Sequence, residues 1–194
     1  MNDPAQRLDR FESSNFDRGA SKLTEFAWML TQAWFFGSWL PGSGWRGKIL
    51  RVFGATIGTG VVIKPRVTIK FPWRLTVGDH VWIGERVWID NLAHVVLDNH
   101  SCISQGAYLC TGSHDWKDQQ FGLVTKPINV GPGAWVGARA TLAPGAVLED
   151  GAVLAIGALG IGRLAAMTVY RADGTTQPRS AQSANAKPKA DRYD

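Results

Sequence analysis

Residues 77–89 read Val77-Gly78-Asp79-His80-Val81-Trp82-Ile83-Gly84-Glu85-Arg86-Val87-Trp88-Ile89, so that Val77, Ile83 and Ile89 fall six residues apart. The same spacing runs back through Ile57, Ile63 and Ile69. It runs on through Leu97, Ile103 and Leu109, then Val130, Val136 and Leu142, then Leu148 and Leu154. An amphipathic helix needs apolar residues at spacings of three and four, and a half-buried strand alternates briefly and stops. A sustained period of six fits the hexapeptide class of β-helix, in which each hexad builds one side of a triangular coil and its aliphatic guide residue points to the axis. The expected fold class is mainly β: a single-stranded, three-sided parallel solenoid. Gly58, Gly78, Gly84, Gly106, Gly131, Gly133, Gly137, Gly145, Gly151 and Gly157 are expected at its corners, where a positive φ is needed.

The chain has 194 residues, 45% of them apolar, with no apolar run long enough to span a bilayer. That suits one soluble domain with its own core. Residues 1–19 are polar and charged and lack the apolar stretch of a secretory signal. Cys102 and Cys110 fall at different hexad positions, which predicts two free thiols in a reducing compartment and a cytoplasmic protein. The net charge of +5 divides as +2 over residues 1–52, +1 over 53–170 and +2 over the last 24. A nucleic-acid binder would carry a basic stripe interleaved with aromatics, or a known module. Neither is present, so no nucleic-acid partner is expected, and the excess suits an anionic small ligand or an anionic membrane surface.

Four segments are expected: a polar, poorly ordered stretch over 1–20, an aromatic helical segment over 21–52, the solenoid over 53–160, and a C-terminal extension over 161–194, irregular from Arg171. Ser21 or Thr24 can cap a helix running to about Phe36, with Pro41-Gly42-Ser43-Gly44 ending it. That helix carries Phe26, Trp28, Met29, Leu30, Trp34, Phe35 and Phe36, with Trp39 just beyond. Two readings follow. It covers the open sheet edge of the first coil, or it lies in a membrane interface flanked by Lys22, Arg46, Lys48 and Arg51.

The repeat slips in three places. Ile69 to Val77 and Ile89 to Leu97 are each two residues too long, and Leu109 to Val130 exceeds one hexad by fifteen. All three faults follow the third side of a coil, so they stack at one corner, opened for something other than coiling. His94 and His114 end third-side hexads there and, with rungs about 4.8 Å apart, are expected nearly over one another. His80 and His100 share another phase and read as structural. His114 alone stands at the mouth of the long insertion, the expected active-site loop over 115–128. A histidine exchanges its proton near neutral pH and, at the base of a loop on a rigid scaffold, is placed for general-base work. Asp115 follows and could orient the ring.

The stretch Tyr108-Leu-Cys-Thr-Gly-Ser-His-Asp115, with Ile103-Ser-Gln105 before it and Thr125-Lys-Pro-Ile128 after it, resembles the colanic acid biosynthesis acetyltransferases of the hexapeptide-repeat superfamily. Phe71-Pro-Trp73-Arg-Leu-Thr-Val-Gly-Asp79 and Leu50-Arg-Val-Phe-Gly-Ala-Thr-Ile-Gly58 extend the match over roughly residues 45 to 160. The resemblance implies a left-handed β-helix assembled as a homotrimer, with acetyl-CoA as co-substrate in a groove between subunits. It further implies a sugar or lipid-linked saccharide acceptor, deprotonated by His114 for direct attack on the thioester, with no acyl-enzyme and no metal.

On the donor side the resemblance implies that Trp135 lines the CoA groove, with backbone groups of Ala138, Gly157 and Ala158 along the pantetheine arm. Arg163 is the expected phosphate contact, with Arg171 and Arg179 as further candidates. Asn91, His94 and Trp116 are the expected acceptor-binding residues. The C-terminus departs from the family pattern: Tyr170-Arg-Ala-Asp-Gly-Thr-Thr-Gln-Pro-Arg179 stands where relatives carry a Gly-Asn-Pro-Ala-like turn.

Direct transfer also fits the residues themselves, because no serine sits in a nucleophile-elbow pattern and Cys110 lies on the strand before the base. The expected activity is O-acetylation of a sugar unit of an exopolysaccharide or its lipid-linked precursor, with peripheral contact at the inner face of the membrane. Alternatives at this point are a small free acceptor, a non-catalytic scaffold, and a zinc enzyme on the same fold. The last would need three converging histidines, and no third one shares the phase of His94 and His114.

Overall fold

The computed structural model describes residues 8–11 and 16–180. The expected disorder of 1–20 and of the tail falls partly on residues 1–7, 12–15 and 181–194, which lie outside the described residues. The hexads wind into about six turns of a left-handed parallel β-solenoid. Its first face stacks Thr56–Ile57, Leu75–Val77, Val95–Leu97, Ile128–Val130, Val147–Leu148 and Arg163–Leu164. The second stacks Val62–Ile63, Trp82–Ile83, Cys102–Ile103, Trp135–Val136, Val153–Leu154 and Thr168–Tyr170. The third stacks Thr68–Ile69, Trp88–Asp90, Tyr108–Cys110, Thr141–Leu142 and Leu159–Gly160.

Each hexad sends two side chains to the axis. The guide residues Ile63, Ile83, Ile103, Val136 and Leu154 stack on the second face with no exposure, and the smaller Val81, Ala134 and Ala152, two positions earlier, are equally buried. Burying one such aliphatic side chain contributes about 1.5–3 kcal/mol, which repeated along the column makes the axis the core.

The expected corner glycines divide into two roles. Gly106, Gly133, Gly145, Gly151 and Gly157 have φ between +61 and +84, the other five do not, and Arg66, His80, Arg86, His100 and Arg139 take the same left-handed turn. His80 and His100, stacked at 5.1 Å, therefore owe their common phase to the corner. Gly84 does not have a positive φ; its Cβ would lie 2.8 Å from the Gln105 nitrogen in the next coil, so close backbone approach excludes a side chain.

Parallel pairing continues past Leu159. Gly160 occupies a guide position, Leu164 follows after four residues, and Thr168–Tyr170 adds a rung that Thr176–Pro178 then pairs antiparallel. Within the stretch expected to be irregular after Arg171, the described residues thus include a strand that ends the second sheet.

At the other end α1 (Lys22–Thr31) starts at Ser21, whose Oγ accepts the Thr24 N–H at 3.1 Å. The helix ends in a π-helical turn over Gln32–Phe36, and a second helix, not expected from the sequence, is α2 (Gly44–Val52). Both close the first coil. Trp28 Nε1 donates to the Ile69 carbonyl at 2.8 Å and Gln32 Oε1 accepts the Ile69 N–H at 2.6 Å. Ser43 Oγ donates to the Ile63 carbonyl at 3.2 Å, and Arg51 Nη2 donates to the Ile57 carbonyl at 2.7 Å. The helical segment thus bonds to main-chain groups of the edge strand on each of the three faces.

Candidate active site

All three faults of the repeat open at the corner between the third and first faces, and each is closed differently. The first holds a short 3-10 turn, Pro72–Arg74. Asn91, fully buried in the coil above, accepts the Phe71 N–H at 2.9 Å and donates to the carbonyls of Phe71 at 2.6 Å and Arg74 at 3.1 Å. The second fault, around Leu92, is held by Thr111, again one coil above. Its Oγ1 donates to the Asp90 carbonyl at 2.8 Å and accepts the Ala93 N–H at 2.9 Å. The third fault is a β-hairpin in which Gly112–His114 pairs antiparallel with Leu123–Thr125.

The hairpin carries His114 away from the coil. In register, the strand starting at Val95 meets Ile128, and the Ile128 N–H bonds to the His94 carbonyl, so the expected stacking of His94 over His114 does not form. The His94 ring instead bonds to Thr76 Oγ1 at 2.9 Å along the first face.

His114 Nδ1 lies 2.8 Å from the Phe121 carbonyl oxygen. A carbonyl only accepts, so the neutral ring carries its proton on Nδ1, which leaves the lone pair on Nε2. The Phe121 ring lies flat on the imidazole at 4.3 Å between centroids and 4° between planes, and Phe11 meets it edge-on at 5.5 Å. To supply both ring and carbonyl, Phe121 takes φ +52, a left-handed conformation that costs a non-glycine residue about 1–3 kcal/mol. Asp115 does not orient the ring: its N–H donates to the Gly122 carbonyl at 2.9 Å and its Oδ1 accepts the Lys117 N–H at 3.0 Å.

Of the expected residues, His114, Asp115 and Trp116 come together, lining with Lys126 and Pro144 a hollow of ≈ 330 Å³. Asn91 does not join them; its burial and its three backbone bonds leave it no group for an acceptor. Phe11, Phe121 and Lys126 were not singled out in the sequence, because nothing in the hexad pattern marks a loop carbonyl or a residue a hundred positions away.

On the second face, opposite that corner, Trp135 and Ala138 line a groove of ≈ 1070 Å³ with Gln105, Ile156, Val169 and Arg179. Trp135 Nε1 donates to Ser104 Oγ at 2.8 Å, which fixes the indole as a wall. Arg179 Nη1 donates to the carbonyls of Gly133 at 3.1 Å and Gly151 at 2.8 Å. Gly157 and Ala158 stand just past the groove and spend their N–H groups on the carbonyls of Ala138 and Ala155. Arg163 lies elsewhere, on the first face, bonded to Glu149 in a hollow shared with Asp98 and Asp150. That acidic surrounding is unsuited to a phosphate, and the Arg163 guanidinium with the Ala166 N–H holds the Glu149 carboxyl below the usual range. Among the described residues, no three His, Cys, Asp or Glu side chains gather as a metal site would need.

A hexapeptide solenoid with a histidine on a corner loop and a tryptophan-walled groove matches what the resemblance to hexapeptide-repeat acyltransferases led one to expect. No protein-family model matches the chain. It is 40% identical over 151 residues to a protein of Escherichia coli K12 that bears the name colanic acid biosynthesis acetyltransferase WcaF, a span of 77% of this chain and 82% of the relative. The chain belongs to this WcaF family of colanic acid biosynthesis acetyltransferases. Among solved structures, the hexapeptide-repeat acetyltransferase VCA0836 of Vibrio cholerae, complexed with acetyl-CoA, superposes with a TM-score of 0.72 at 16% identity over 89% of this chain and 96% of that one. A galactoside acetyltransferase in complex with coenzyme A gives a TM-score of 0.72 at 15% identity over 92% of each chain. At such identities the likeness is one of fold.

Proposed function

We propose that this chain is an acetyl-CoA-dependent O-acetyltransferase acting on a sugar hydroxyl of an exopolysaccharide or its lipid-linked precursor, with His114 as general base. The observation that carries the reading is the His114 Nδ1 bond to the Phe121 carbonyl, which leaves Nε2 as the acceptor of a proton. The acceptor O–H gives its proton to Nε2 as the oxygen attacks the thioester carbonyl carbon. The tetrahedral intermediate then collapses with loss of the coenzyme A thiolate, which takes the proton back from the imidazolium. The products are an acetyl ester and free coenzyme A.

Trp135 and Ala138 would flank the acetyl-CoA arm, Arg179 its anionic end, and Trp116 the acceptor sugar. The groove and His114 lie on opposite sides of one coil, so a working centre needs the groove of one subunit against the His114 corner of another, and we take the enzyme as a homotrimer. Family membership and the CoA complexes of the fold relatives support the donor. The test is thiol release from acetyl-CoA against a panel of free sugars and lipid-linked oligosaccharides. His114→Ala is expected to lower turnover by roughly 10²–10⁴-fold while keeping coenzyme A affinity. No release above background with any acceptor, or an equally active variant, overturns the reading.

A further inference from the structure

We propose that the outer side of α1, with the loop that follows it, docks the protein onto the anionic face of a lipid bilayer. The capping of the first coil is completed by the inner side, through Trp28, Gln32 and the fully buried Phe36. The outer side is apolar as well. Leu23, Phe26, Leu30 and Trp34 recur at spacings of three and four, so they share one side of the helix. Their exposures are 77%, 53%, 45% and 76%, and Trp39 beyond them is 76% exposed. Large apolar side chains exposed together along one side of a helix mark an interaction surface.

The chemistry of the patch selects a membrane interface. Tryptophan and phenylalanine favour the headgroup boundary, and no helix among the described residues is long and apolar enough to cross the bilayer. Charge points the same way. Residues 16–70 hold eight Lys and Arg against two Asp and Glu, whereas residues 71–180 hold eight against nine. Of the two acids at the basic end, Glu25 is bound by Arg18 at 2.7 Å, while Lys22, Lys48, Lys64 and Arg66 are exposed. A basic, aromatic end opposite a near-neutral remainder complements an anionic surface and orients the solenoid on it.

The inference does not depend on the transfer reaction, and its test needs no turnover. The full chain is sedimented with vesicles of phosphatidylcholine alone and of phosphatidylcholine containing about one third phosphatidylglycerol. Binding is expected to the anionic vesicles, to weaken at about 0.5 M salt, and to fall at least about ten-fold in the double variant Leu23→Ser, Trp34→Ser with no loss of melting temperature. Failure to sediment with anionic vesicles, or equal binding by the variant, overturns the proposal. So does a lower melting temperature in the variant, which would make the face part of the fold. A concentration-dependent rise in mass that the variant abolishes would assign the face to a second copy and overturn it too.

Discussion

Replacing Asn91 by alanine separates a structural role from a substrate role at one position. The side chain is fully buried and makes three hydrogen bonds to the 71–74 turn of the coil below. Alanine strands the Phe71 N–H, in a residue only 3% exposed, at about 1–3 kcal/mol. The two carbonyls lose about 0.5–1.5 kcal/mol each, since Phe71 O keeps the Arg74 N–H and Arg74 is only half-buried. The total is about 2–6 kcal/mol, which for a chain of this length lowers the melting temperature by roughly 4–24 °C. Asn91→Asp should do no better, because its carboxylate retains the Phe71 N–H but faces two carbonyls without a donor. Thermal unfolding by circular dichroism, with urea midpoints as a check, reads the effect. An unchanged melting temperature together with a raised KM for the acceptor would refute the reasoning and return Asn91 to the site.

Asp115→Asn keeps an oxygen for the Lys117 N–H, and is expected to change kcat by less than about three-fold, against roughly 10²–10⁴ for loss of the proposed base His114; steady-state thiol release decides it. Gly160→Ala would put a Cβ 2.7 Å from Leu142 Cδ2 and 3.2 Å from Leu154 Cδ2, and such overpacking is expected to cost about 1–3 kcal/mol in chemical denaturation. The depressed Glu149 carboxyl contributes stability that is fully present above the ordinary glutamate value of about 4.3 and is lost as pH falls through its lower folded value. Melting curves of Arg163→Gln should therefore fall less steeply than wild type over that acid range; parallel curves would remove the pair from the account.

The period of six made the three faces, their parallel order and the shared corner of the faults legible, because a guide residue facing the axis is decided by local spacing. The last turn was hidden, since Gly160 carries no apolar side chain and the next guide position comes two residues early. Helix α2 was masked by the Pro41-Gly42-Ser43-Gly44 stop before it and by glycines at positions 44 and 47. At the site, His114 was legible as a histidine at the mouth of an insertion. Its tautomer was not, because the partner is a main-chain carbonyl seven residues on, and a backbone acceptor leaves no mark on side-chain identity. Asp115 drew the expectation by adjacency alone, yet strand alternation turns neighbours to opposite sides. Arg163 was separated from the groove by the same geometry, being on the first face while Trp135 is on the second.

The corner of faults behaves as a socket. A hairpin leaves the coil after Thr111, and the chain re-enters at Ile128 in register with Val95, so the ladder on either side does not depend on how long the excursion is. Because each coil touches only its neighbours, loops of other lengths and chemistries can be plugged in at this level without resetting the core. Under the proposed function, a new acceptor preference would then need only residues 112–127 to be exchanged, while the groove on the second face is inherited unchanged.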